Sequence, residues 1–147
     1  MENSSFDFFI DLPVNCIFVK HYSVFDLERS SARVKAIVSD PSYRKGLNRI
    51  IDCTGCSLDW ETDDIRKASD QIAAQAASRG AYREAFLVDS LFAHGMFRIL
   101  DGLAPSPTIE YEIIDIFDTG KETAREKVFN WLQINSNHSI PDFINLV

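Results

Sequence analysis

The chain has 147 residues, 46% of them hydrophobic, which is one domain's worth and enough to build a core without metal or disulfide support. Its formal net charge is −7, and the 15 basic residues lie singly or in pairs, which excludes the phosphate-matching basic surface of a nucleic-acid binder. No apolar run approaches the ~18 residues of a membrane-spanning helix, so no membrane insertion is expected.

The segment Met1-Glu2-Asn3-Ser4-Ser5 lacks the basic-then-apolar order of a secretory signal. Three cysteines, an odd number, argue against a disulfide framework and for the cytoplasm.

Residues 5–12 alternate Phe6, Phe8 and Ile10 with Asp7, Phe9 and Asp11, the period of two of a strand. Pro13 breaks the run, and residues 14–22 read as a second strand. The short link implies an antiparallel hairpin. Ser23 is placed to cap a first helix, whose inner face reads as Leu27, Ser31, Val34 and Val38 with Ile37 beside them. Asp40-Pro41 ends it, because the residue before proline avoids helical angles.

Residues 48–53 read as a third strand, with a polar loop after it. Thr62-Asp63-Asp64 opens a second helix with two acids in its first turn, which suits the helix dipole. Ile65, Ala68, Ile72, Ala73 and Ala76 form its inner side, and Gly80 stops it. Residues 84–89 are a fourth strand. A third helix begins near Ser90 with Leu91, Phe92, Met96, Phe97 and Leu100 as its stripe, and Ala104 to Pro107 is a rigid loop.

Residues 108–117 are a fifth strand. Thr119-Gly120-Lys121-Glu122 has the capping-box pattern before a last helix carrying Ala124, Val128, Trp131 and Leu132. The order is β-β-α-β-α-β-α-β-α. It implies a single α/β domain over 1–147, with a mostly parallel mixed sheet of about five strands, an N-terminal antiparallel hairpin and about four helices. The core is expected over about 5–132, with 133–147 as a C-terminal tail.

The segments Asp40 to Leu47, Ile50-Ile51-Asp52, Thr62 to Arg66, Ala85 to Val88, Gly95 to Arg98 and Ile116-Phe117-Asp118, set in this order, resemble the STAS domain. More closely, they resemble small stand-alone bacterial proteins described as SpoIIAA-like or STAS-like. The resemblance spans roughly residues 5–132. It implies a non-enzymatic regulatory domain that binds a protein partner or a second copy of itself. In regulatory STAS domains the third strand leads through Asp-x-Ser-Gly to a phosphorylated serine at a helix start, on a docking surface. Asp52-Cys53-Thr54-Gly55 matches the first part, with threonine for serine. Asp59-Trp60-Glu61-Thr62 departs from the second. A phosphate on Thr62 would gain from the helix dipole but sit beside Glu61, Asp63 and Asp64, which repel it; its plainer role is a cap.

In parallel α/β sheets, ligands and partners meet the carboxyl ends of the strands. The expected working face therefore carries Thr54, Ser57, Asp59, Trp60 and Thr62, with Ser90 at the same edge and Arg98 directed toward it or toward an acid. Two other readings stand beside it. A pocket lined by some of the 11 phenylalanines suits a small lipid-like ligand. Cys53-Thr54-Gly55-Cys56 has the spacing of a thioredoxin-like redox pair, with Ser106-Pro107-Thr108 before a strand as in thioredoxins. Its helix starts about five residues beyond Cys56, however, too far to lower a thiol pKa.

No cofactor is expected. The glycines are isolated, without a phosphate-binding loop, and no second spaced pair of ligands accompanies Cys16, Cys53, Cys56, His21, His94 and His138 to hold a metal.

Overall fold

The computed structural model describes residues 5–91, 93–95, 98 and 108–147. Strands β1 (Phe6–Asp11) and β2 (Cys16–His21) form the antiparallel hairpin, joined by a helical turn at Leu12–Val14 that leaves Asn15 left-handed at φ 55°. A two-residue strand β3 (Val24–Phe25) precedes α1 (Leu27–Val38). Next come β4 (Asn48–Asp52), the short β5 (Ser57–Leu58), α2 (Thr62–Arg79) and β6 (Tyr82–Val88). After the segment around 91–98, which is helical where described, β7 (Ile109–Asp115), a single turn α3 (Ile116–Thr119) and α4 (Lys121–Leu132) complete the chain. The stripe residues Phe92, Met96, Phe97 and Leu100 and the loop 104–107 lie outside the described residues.

The main sheet runs β1-β2-β4-β6-β7, parallel except for the first pair. Each parallel strand is added on the same side of the last. Right-handed crossovers then place the connecting helices, where described, on one face. That face holds Ile17, Val19, Ile51, Phe86 and Val88 under Ile37 of α1. The opposite face, with Phe18, Ile50, Ala85 and Leu87, is left to the chain beyond β7. It is covered by Ala124, Val128, Phe129 and Leu132 of α4, and by Ile134, Ile140, Ile144 and Leu146. Residues 133–147, set apart in the sequence as a tail, thus supply part of the core. Arg125 holds them by donating to the Leu146 carbonyl at 3.1 Å and the His138 carbonyl at 3.2 Å.

Several local expectations change. Asp26, not Ser23, caps α1, accepting from the Arg29 amide at 2.9 Å; Ser23 takes φ 64° so that the chain can turn into β3. The buried side of α1 is Arg33 and Ile37, while Val38 is 41% exposed. Thr62 is the first residue inside α2: the Asp64 carboxylate accepts from the Glu61 amide at 3.0 Å, so the cap sits one residue earlier. Ala73 faces solvent. No capping box forms at Thr119, because Gly120 holds the N-cap position of α4 and has no side chain to accept; Asp115 caps the preceding turn by accepting from the Phe117 amide at 3.0 Å. That early turn ends β7 at residue 115 rather than 117.

Candidate functional site

At the carboxyl ends of β2 and β4 one buried carboxylate organises the rim. The Asp52 side chain is wholly buried. Its Oδ1 accepts from the Thr54 amide at 2.9 Å, from the Thr54 hydroxyl at 2.6 Å and from Lys20 Nζ at 3.2 Å. Its Oδ2 accepts from the Asn145 amide at 2.7 Å. Lys20 also donates to the Thr54 carbonyl at 2.6 Å and to Thr54 Oγ1 at 3.0 Å. All three donors of the ammonium therefore have acceptors, which leaves Lys20 as a clasp rather than a poised base. Gly55 then turns with φ 76°, a left-handed angle that glycine adopts without a Cβ penalty. Its amide donates to Asp89 Oδ2 at 2.8 Å, tying the ends of β4 and β6 together. Outside this clasp lies an open hollow of about 620 Å³, lined by Lys20, Thr54, Gly55, Asp89, Lys121 and Asn145 among others.

Residues 54–62 do not form one open loop. Thr54 is buried, and Ser57-Leu58 pairs with β3. Trp60 is half-buried, with its ring 5.4 Å from that of Phe25. Ser57, Asp59 and Thr62 are exposed, as are Ser90 and Arg98. Asp89 joins Gly55, so the rim does bring the ends of β4 and β6 together; Arg98 has no described bond to either.

The thiols are free and held in their protonated form. Cys53 lies wholly in the core, and burial, reinforced by the neighbouring Cys56, pushes its pKa well above the usual range. Burial also raises Cys56, to about 11, and its thiol donates to the His21 carbonyl at 3.1 Å. An attacking thiol of a redox pair needs the opposite shift. Among the described residues no three His, Cys, Asp or Glu side chains converge on a metal position, and no helix is long and apolar enough to cross a membrane.

The charge pattern under the helices carried no signal in the sequence. Arg33 of α1, Arg49 of β4, Arg79 of α2 and Glu84 of β6 are each no more than 4% exposed. Arg49 stands directly opposite Glu84 in the sheet register. The Arg49 guanidinium lies 4.8 Å from the Tyr82 ring centre, and that of Arg79 5.8 Å. Arg33 is pushed down to about 10, chiefly by burial. A cavity of about 50 Å³ separates α1, α2 and the sheet here, far below the several hundred Å³ that a drug-sized or lipid-like ligand fills.

His21, at the end of β2, is wholly buried with neither ring nitrogen hydrogen-bonded. Its ring meets Phe25 edge-on at 4.6 Å. Burial, with the charges of Arg33 and Lys20, pushes its pKa down to about 2. The unfolded chain, with an ordinary histidine near 6.5, therefore binds one more proton between those two values. The stability that His21 contributes is complete above pH 6.5 and is lost as pH falls below it, at about 1.4 kcal/mol per unit. Between pH 7 and 5 the wild type should lose about 2 kcal/mol more than a His21→Phe variant, read from urea midpoints at the two pH values.

No protein-family model matches this chain, and neither a curated protein nor a solved structure matches it.

Proposed function

We propose that this chain is a STAS-like, SpoIIAA-like interaction domain, non-enzymatic, that docks a protein partner on the carboxyl-end rim of its sheet. The observation that carries the reading is a pair of bare apolar side chains there. Val88 stands opposite Asp115 in the register. Leu91 and Phe117 therefore leave neighbouring strands at the same edge, and they are 81% and 86% exposed. Large apolar groups so exposed mark contact surfaces when acids rim them, and Asp89 and Asp118 are close to them in the chain. The motif Asp52-Cys53-Thr54-Gly55, which carries the likeness to regulatory STAS domains, ends at this rim. Its rigid clasp would present the surface without reorganisation on binding. A 50 Å³ cavity bordered by arginines and thiols held protonated lend no support to lipid binding or thiol exchange.

Native mass spectrometry of protein purified from its own host should show a complex heavier than the 16.7 kDa chain. A folded Leu91→Ser, Phe117→Ser double variant should lose at least nine-tenths of the partner. Equal capture by that variant, or a bare monomer in every preparation, would overturn the reading.

A further inference from the structure

We propose that the cavity between α1, α2 and the sheet is a binding site for a small oxyanion, a carboxylate or phosphate group, held by Arg33 and Arg79 and backed by the charge of Arg49. Trp60 of the expected rim borders this cavity, but the site does not depend on the docking surface proposed around Leu91 and Phe117.

Charge and hydrogen bonding both favour an anion here. Three buried guanidiniums face one buried carboxylate, an excess of two positive charges inside a chain whose net charge is −7. Among the described residues, no carboxylate lies within ion-pairing distance of any of the three. Five of their nitrogens are buried without a hydrogen-bond partner: Nε and Nη1 of Arg33, Nε and Nη1 of Arg49, and Nε of Arg79. Arg33 Nη2 does donate to Ser30 Oγ, at a long 3.3 Å. Buried donors left unpaired are costly, and charged ones more so. Arginine is the side chain whose fork of donors matches carboxylate and phosphate oxygens.

Arg33 and Arg79 both line the cavity. Its volume of about 50 Å³, at roughly 10–15 Å³ per water, holds about four waters or one small oxyanion. The outer wall is polar: Ser30 and Ser31 of α1 face Gln71 and Gln75 of α2, and Ser31 Oγ donates to Gln71 Oε1 at 3.1 Å across the cleft. An ion would enter by parting that bond between exposed side chains.

Glu84 also lines the cavity, and its Oε1 has no partner. It opposes an anion, and so supplies a test of sign. Removing an arginine should weaken binding, whereas removing the Glu84 charge should strengthen it. A merely structural cluster has no reason to respond in opposite directions.

The experiment titrates the intact chain with inorganic phosphate and, separately, with acetate, at ionic strength held constant with chloride. Melting temperature and the arginine Nε–Hε NMR signals are followed together. The expected result is a saturable rise in melting temperature with shifted Nε–Hε signals, and the stronger of the two ions identifies the group. Arg79→Gln should raise the Kd about tenfold or more, and Glu84→Gln should lower it. Should Arg79→Gln fail to fold, the wild-type titration and Glu84→Gln still decide. Neither ion moving the melting temperature or the Nε–Hε signals would overturn the site and leave the cavity to water. So would a Kd that Glu84→Gln leaves unchanged or raises.

Discussion

Replacing Asp52 by alanine should lower the unfolding free energy by about 3–5 kcal/mol, the cost of leaving one partner of a buried ion pair unpaired. The carboxylate accepts four hydrogen bonds from three segments of chain. Without it, Lys20 keeps only the two acceptors on Thr54, the turn into Gly55 loses its anchor, and the Asn145 amide is orphaned. Asp52→Asn retains the shape but not the charge and should fall between alanine and wild type. Lys20→Met should cost less than Asp52→Ala, since it removes a charge 12% exposed and leaves Asp52 three donors. Urea unfolding of the three variants checks the order. Hydrogen exchange at the Asn145 amide checks the mechanism, because it should quicken in Asp52→Ala in step with the loss of its acceptor. A cost below about 1 kcal/mol for Asp52→Ala would mean that water replaces the carboxylate freely.

Ending the chain at Gln133 should abolish cooperative folding. Ile134, Ile140, Ile144 and Leu146 are each buried, none more than 7% exposed, and they pack on Phe18, Ile50 and Leu87 from the side that no crossover helix covers among the described residues. Truncating a single buried isoleucine or leucine to alanine costs about 2–5 kcal/mol. Losing four consumes or exceeds the whole 5–15 kcal/mol, roughly, that holds a typical domain. The truncated chain should show no cooperative thermal transition and no near-ultraviolet circular dichroism. Ile144→Ala, which keeps the rest of the segment, should melt cooperatively with about 2–5 kcal/mol less stability. A sharp transition in the truncated chain would show that α4 alone seals that face.

These two variants probe what the chain could not announce in its own letters. The apolar periods did place the hairpin, the alternation of strands and helices and the parallel sheet, because period two and period 3.6 are local properties of a segment. Asp52-Cys53-Thr54-Gly55 was legible as a strand end for the same reason. The candidate rim residues Ser57, Asp59 and Ser90 were legible as exposed polar positions beyond strand ends.

Other features were decided by partners far away in the chain. Residues 133–147 read as a C-terminal tail, yet strand order leaves one sheet face to be covered, and the segment after α4 is what reaches it. Phe117 read as the end of a strand, but Asp115 caps a turn there and throws the ring into solvent. Thr54 read as surface, but Lys20 and Asn145 close over it from 34 and 91 residues away.

The arginines illustrate the limit best. Arg33, Arg49 and Arg79 each look like ordinary surface charges in sequence, since guanidiniums are almost never fully buried unless paired. Composition, spacing and local propensity determined the α/β class and the rim. Only the packing of α1 and α2 on one face of the sheet buried three like charges together, two of them lining one small cavity, because charge is a property of residues but burial is a property of the assembled layers.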